Sequence, residues 1–394
     1  MLDVLYLSTV CSTAEYERMF HKFGTTLSHA GQKFGQLMLQ GFAANGWSVY
    51  ALSQRIVENG ADDELCRPDE TENGIKYMYL PCWQNRTINR VLTIWKAMRG
   101  IGKWHREHPD GFIICDILAG ELSLALCLVS KVLKIKTCAL VTDVPTIRAG
   151  ETRTGLKALP YKLKAALISS YDSYIFLTEQ MNVVLNSKAK PYTIVEGIVD
   201  ESVVKKPNSM EEKHPEKVFV MAGLLEDIYG VNDLLDGFEK LDCPEARLRF
   251  YGKGGSVEKI AAASERDSRI TYCGELTNAE MVQEEKKATL LINPRPPIGT
   301  WTAYSFPSKN MEYMASGTPM LAYVLPCMPE EYLSYFFHIE DGTGDVPFHD
   351  MLKKIASMDR EKLHEFGLSA QKWIVEEKNA KNQMEKVIRM AEVL

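Results

Sequence analysis

The sequence predicts an α/β protein made of two doubly wound parallel sheets, and three observations predict it. Apolar strand-like runs alternate with amphipathic helical patterns from end to end, as in sheets wound with helices. The pattern breaks at one polar, Pro-containing segment, DESVVKKPNSMEEKHPEK over 200–217, and then restarts. At 394 residues the chain exceeds one ordinary core. These place a first domain at 1–200, a linker at 201–217, a second domain at 218–375 and a closing helical stretch at 376–394.

In the first half the strands read VLYLST, SVYALS, FIICDIL, TCALVTD, SYIFLTE and YTIVEG, with helices between them near 30–45, 86–108, 121–134 and 155–170. The second half gives KVFVMAG, a helix VNDLLDGFEKL, then LRFYGKGG, RITYCG, ATLLINPRP and PMLAYV, each pair joined by a helix. Four of these strands end in glycine or polar loops: MAG, YGKGG, YCG and INPRP. Ligands of open parallel sheets sit outside the carboxyl ends of the strands, so these loops converge on one crevice. The last connecting helix lies in SFPSKNMEYMASGTPMLAY, residues 305–323. Ser305 or Ser308 can cap it, Pro307 suits an early helical position, and Gly317 with Pro319 ends it. Lys309 and Glu312, three apart, share one face. A helix N-terminus beside a cation and serines suits an anion, although a capped surface helix with an ion pair explains the same letters.

Composition narrows the function. With 45% hydrophobic and 25% charged residues the chain reads as an ordinary soluble protein. Its net charge of −6 argues against general nucleic-acid binding. Residues 1–200 carry a slight positive excess and the remainder is strongly acidic, so the halves meet different partners. Nine scattered cysteines without a CxxC pair indicate a reducing compartment. MLDVLYLSTV reads as a first strand and not as a signal peptide, and the longest apolar run, GFIICDILAGELSLALCLVS, holds Asp116 and Glu121, so a cytoplasmic location is expected.

Gly252, Gly254, Gly255, Asn293, Arg295, Ser305, Ser308, Lys309 and Glu312 all fall at strand ends or at the helix start. Glycines let backbone amides approach a phosphate, Arg295 offers a planar fork, Lys309 a point charge, and Glu312 accepts from sugar hydroxyls. The order MAG, FYGKGG, ITYCGEL, LLINPRP and FPSKNMEYMASGTPMLA resembles the C-terminal nucleotide-sugar domain of family 4 glycosyltransferases, which have the GT-B fold. HAGQKFGQLMLQGFAANGWSVYALS is similar to the first loop, helix and second strand of the branch found in bacterial capsule, exopolysaccharide and O-antigen clusters. The resemblance implies two Rossmann-like domains facing across a cleft, with the last helix crossing back to the first domain. It also implies sugar transfer from a nucleotide-diphosphate donor to an acceptor hydroxyl with retention, without a cofactor and without a metal. No DxD closes an apolar strand. Arg295 and Lys309 would neutralise the departing diphosphate. Glu312 corresponds to the second glutamate of the family's E-x7-E motif and would grip the ribose, Gly223 would line the donor site, and Cys273, Gly274, Glu275 and Leu276 would lie by the base.

Two departures stand out. Tyr304 occupies the place of the first motif glutamate, and Leu224 and Tyr229 stand where the family usually has Arg and Lys. Arg295 is the expected replacement for one lost charge. On the acceptor side, Asp143 in LVTDVP either orients the acceptor, stabilises positive charge on the sugar, or caps a helix before Pro145, while Ser28, His29, Gln32 and Lys33 open the first long helix. Residues 86–107 put Ile88, Val91, Leu92, Trp95, Met98 and Trp104 on an apolar face beside Arg86, Arg90, Lys96, Arg99, Lys103 and Arg106. With Arg148, Arg153, Lys157, Lys162 and Lys164, this face suits either packing on the sheet or an anionic membrane surface carrying a glycan or lipid-linked acceptor. A sugar-nucleotide epimerase and a catalytically degenerate scaffold of the same fold are the alternatives.

Overall fold

The computed structural model describes residues 2–23, 29–55, 65–83, 85–145, 147–148, 151–152, 159–339 and 342–394. The chain forms two compact units, Met1–Ile198 with Ala380–Leu394, and Val199–Asn379.

The first unit carries β1 (Asp3–Ser8), β2 (Ser48–Ser53), β3 (Glu70–Glu72), β4 (Ile75–Tyr79), β5 (Phe112–Asp116), β6 (Thr137–Val141), the small hairpin β7 (Ile147–Arg148) and β8 (Glu151–Thr152), β9 (Ser173–Phe176) and β10 (Tyr192–Ile194). Its main sheet runs β10-β9-β6-β5-β1-β2-β4-β3 and is parallel except for β3 against β4. β3 and β4 were not legible as strands. β4, IKYMY, is a short alternating strand with Ile75, Tyr77 and Tyr79 buried and Lys76 exposed, and β3 is held by pairing with it. The chain moves one way along the sheet from β1 to β2 to β4, then the other way through β5, β6, β9 and β10. Right-handed crossovers therefore put the helices Arg86–Glu107, Gly120–Leu133, Leu159–Ile168 and Glu179–Leu185 on one face and the His29–Ala44 helix on the other. The Ala380–Ala391 helix packs on His29–Ala44 so closely that a Cβ on Gly41 would come within 2.2 Å of the Ala380 carbonyl oxygen. Asn45 Nδ2 donates to the Lys381 carbonyl at 2.8 Å, and Met384 and Val387 complete the core beneath.

The second unit carries β11 (Lys217–Leu224), β12 (Ala246–Lys253), β13 (Ile270–Tyr272), β14 (Leu290–Asn293), β15 (Met320–Tyr323) and β16 (Phe337–Ile339), in the order β13-β12-β11-β14-β15-β16 and parallel throughout. Strand order reverses between β11 and β14. Residues 201–217 are not a free connector. The buried Lys286 ammonium donates to the Val203 carbonyl at 2.5 Å, and Asn208 Nδ2 to the Ser316 carbonyl at 2.9 Å, so the segment is clasped to the second unit. The Arg360–Lys378 helix also belongs to this unit, which ends at Asn379.

Candidate active site

A pocket of about 290 Å³ opens at the reversal point, between the ends of β11 (Met221 to Leu224) and β14 (Ile292, Asn293), where open α/β sheets bind ligands. The helix Ser308–Ser316 points its N-terminus here because Ser308 and Lys309 also line the pocket. Among the described residues no side chain caps its first turn: Pro307 occupies the cap position and Ser308 is already helical, so neither Ser305 nor Ser308 plays the capping part expected of it. Gly317, at φ 78, ends the helix as expected. The Asn310 N–H donates to the Pro307 carbonyl at 2.9 Å, while Ser308 and Lys309, at the positive end of the dipole, line the pocket where an anion would sit. Tyr313 ties the helix to the sheet: its hydroxyl accepts from the Ala222 N–H at 2.8 Å and donates to the Ala222 carbonyl at 3.1 Å.

Two cations reach the pocket in different electrostatic states. Lys309 Nζ lies 3.0 Å from Glu312 Oε2 and 3.7 Å from Oε1 of the fully buried Glu285. Burial works to lower the Lys309 ammonium, but Glu312 and then Glu285 outweigh it and hold its pKa above the ordinary value. The other Glu312 oxygen, Oε1, is buried with no hydrogen-bond partner among the described residues, and Glu312 itself stands behind Lys309 and does not line the pocket. Arg295, only 6% exposed, stacks its guanidinium 4.0 Å above the Trp301 ring, against which Tyr229 sits edge-on at 6.0 Å. Its Nε and Nη2 have no partner among the described residues. Burial pulls its pKa down, and only Cys327 and Tyr229 push back. A buried guanidinium without a carboxylate is costly, and a bound anion would relieve that cost.

Gly223, Asn293, Ser305 and Leu224 line the pocket. Asn293 also donates to Asn310 Oδ1 at 2.6 Å. Gly252 and Gly254 do not line it and serve strand contact instead: a Cβ on Gly252 would lie 1.9 Å from the Gly223 carbonyl oxygen, and one on Gly254 2.2 Å from that of Leu225. Cys273, Glu275 and Leu276 follow β13, away from the reversal point, with Glu275 paired to Lys253 at 3.2 Å. Tyr304 closes the 3-10 turn Thr300–Ala303, its N–H donating to the Trp301 carbonyl at 3.0 Å.

In the first unit Asp143 is exposed just beyond β6. Asp116 ends β5, next to β6, where burial pushes its carboxyl up to about 6 against the Leu118 N–H and Lys164, with Asp143 adding to the rise. Ser28 lies outside the described residues, and His29 begins its helix. Gln32 is not presented to a ligand. It is buried, with Nε2 donating to the Cys11 carbonyl at 2.6 Å and Oε1 accepting from the Cys11 N–H at 3.2 Å, which fixes the chain after β1. Lys33 follows it, half-buried. Arg153 and Lys157 lie outside the described residues. Sequence reasoning missed Glu285, Trp301 and Asn310, which do not line the pocket but hold its lining residues Lys309, Arg295 and Asn293. Glu285 stands in the run QEEKK, where a charge reads as solvated, and Trp301 and Asn310 carry no motif of their own.

Residues 216–342 match the family described as glycosyl transferases group 1. Among solved structures the chain is similar to the sucrose-phosphate synthase of Thermosynechococcus elongatus, with a TM-score of 0.67 and 12% identity over 99% of each chain. It is also similar to Anabaena HepE in complex with UDP, at 0.65 and 11% over the whole of both chains. For OtsA the values are 0.63 and 10%, over 100% of this chain and 99% of that one. No curated protein sequence matches the chain. The fold class is therefore that of the GT-B glycosyltransferases, with two parallel-sheet units. Over its second unit the chain carries the group 1 glycosyltransferase sequence pattern.

Proposed function

We propose that this chain is a retaining, metal-independent hexosyltransferase that moves a sugar from a nucleotide-diphosphate donor to an acceptor hydroxyl. The observation that carries the reading is Arg295, a buried cation with two uncommitted nitrogens, beside Lys309 and an uncapped helix N-terminus in one pocket. Charge develops on the departing diphosphate in the transition state, and fixed donors in a partly dry site stabilise it without reorganising. Arg295 and the helix amides bind the diphosphate, Lys309 adds a positive charge near the leaving oxygen, and Glu312 receives ribose hydroxyls. Asp143, with Asp116 beside it, belongs to the acceptor side. Two structures of similar fold are described as complexes with UDP and with UDP-glucose, so uridine is the first base to try. The acceptor is a lipid-linked glycan at the cytoplasmic face of a membrane, in capsule, exopolysaccharide or O-antigen assembly.

The test is turnover of a panel of UDP-, GDP-, ADP- and TDP-sugars in EDTA with lipid-linked acceptors, and NMR of the new anomeric proton. A product with the donor's anomeric configuration is expected. An inverted product, or turnover only after a divalent metal is added, overturns that part of the reading. Leu224, Tyr229 and Tyr304 favour a second reading, a GT-B scaffold without catalysis. It predicts nucleotide binding at most, with no transfer from any donor.

A further inference from the structure

The helices Arg86–Glu107, Gly120–Leu133, Leu159–Ile168 and Glu179–Leu185 cover one face of the first sheet, and their outer surface is unusual in two respects. Nearly half of the exposed large apolar side chains among the described residues lie on them, although they form under a fifth of the chain. They also carry nine lysines and arginines against three acids, while the whole chain has a net charge of −6. Of the expected apolar face of the first helix only Trp104 is fully buried. Thr93, Ala97, Ile101 and Trp104 face the core, leaving Val91 62% and Trp95 46% exposed. Packing on the sheet therefore does not account for Val91 and Trp95. On the neighbouring helices Leu128 is 44%, Val132 78%, Leu163 64% and Val183 82% exposed. Trp95 sits between two cations, Lys96 Nζ at 5.2 Å and the Arg99 guanidinium at 4.9 Å from its ring. Arg90 is partly neutralised by Glu121, at 2.8 Å across the two helices, and the other basic residues of the first helix outnumber its one acid.

We propose that this four-helix face docks on the surface of an anionic lipid bilayer. Apolar ridges edged with lysine and arginine gain from burial at the headgroup boundary and from attraction to anionic lipid, and an indole beside cations is the side chain suited to that boundary. Among the described residues no helix is long and apolar enough to cross a membrane, so the contact lies along the surface. The docking deepens the proposed lipid-linked acceptor by naming the face that meets its bilayer, but it stands on the first unit alone and does not need the donor pocket.

Vesicle flotation tests it, with the full chain on phosphatidylcholine alone and on vesicles with about a third phosphatidylglycerol. Binding is expected on the anionic vesicles, weakened by salt, and at least about tenfold weaker in a Val91→Ser, Trp95→Ser, Leu128→Ser, Val132→Ser variant. A second variant, Lys96→Gln, Arg99→Gln, Lys103→Gln, should lose most of the preference for anionic over neutral vesicles. Equal binding of all three proteins, or no binding of the native chain, overturns the proposal. So does a dimer in solution that the serine variant dissociates, because the face would then meet a second copy. Melting temperature with and without UDP, measured on the same proteins, separates the two readings. A nucleotide shift retained in the serine variant leaves donor binding intact whatever the vesicles show, and its absence from the native chain counts against the donor site only.

Discussion

Glu15 in the first unit and Arg295 in the second are both buried charges near the carboxyl edge of a parallel sheet, and their surroundings differ in kind. Glu15 is enclosed by Arg18 at 2.8 Å, Arg67 at 3.1 Å and Arg55 at 3.9 Å. Close by, Ser12 bonds Glu70 and accepts from Tyr79 at 3.0 Å. Arg295 has a tryptophan face and, among the described residues, no acid beside it. In the first arrangement each guanidinium has an acid of its own protein within 4 Å, and the cluster serves the fold. The second lacks such a counter-charge among the described residues, which is why Arg295 is proposed to meet an anion. Lys309 stands between them, balanced by Glu312 and Glu285 yet lining the pocket. A charged side chain near a strand end thus indicates a ligand only when its own protein leaves it unanswered.

The comparison breaks most sharply at Arg295. Arg295→Ala should lower turnover about 10²- to 10³-fold, the usual scale for losing one fixed donor to transition-state charge, with Arg295→Lys recovering part of it. Steady-state kinetics check this, and a loss below tenfold would make Arg295 a structural residue like Glu15. Glu15→Gln should act the other way, removing about 3 kcal/mol of stability because three guanidinium groups lose their counter-charge, with no specific effect on nucleotide binding. A urea midpoint measured beside a UDP-induced melting shift separates the two effects.

Asp116 sharpens the picture at smaller scale. Its folded pKa, about 6, lies above the ordinary carboxylate value, so the folded state holds more protons between about pH 4 and 6. The burial penalty on its ionised form therefore grows, and stability falls, as pH rises through that window. Asp116→Asn should flatten that fall and gain about 2 kcal/mol at pH 8, read as melting temperature against pH. The smallest effect is expected at Trp301. Trp301→Ala removes the ring under Arg295 and should weaken nucleotide binding roughly fivefold, without abolishing it.

The alternation of apolar runs and helices was legible because parallel strands buried on both faces read as continuous hydrophobic segments, and the restart after 217 was legible as a composition change. β4 escaped because only alternate residues of IKYMY are buried. At the site, Asn293 and Arg295 were readable as polar residues at a strand end and Ser305 and Lys309 at a helix start, and the pocket collects all four. Gly252 and Gly254 were readable as special backbone positions, but letters cannot distinguish approach to a phosphate from approach to the neighbouring strand. Gln32 shows the same ambiguity: an amide at a helix start is equally suited to a ligand or to the Cys11 peptide group. Trp301 and Glu285 depend on contacts made across the fold, which spacing along the chain does not encode.

The most direct test of the central claim, that Arg295 is a buried cation awaiting the donor's diphosphate, is calorimetric titration of UDP into the native chain and into Arg295→Met, both in EDTA. Binding by the native chain, with affinity lost about a hundredfold or more in the variant while its nucleotide-free melting temperature stays level or rises, is the predicted result. Equal affinity for UDP in the two proteins would contradict it.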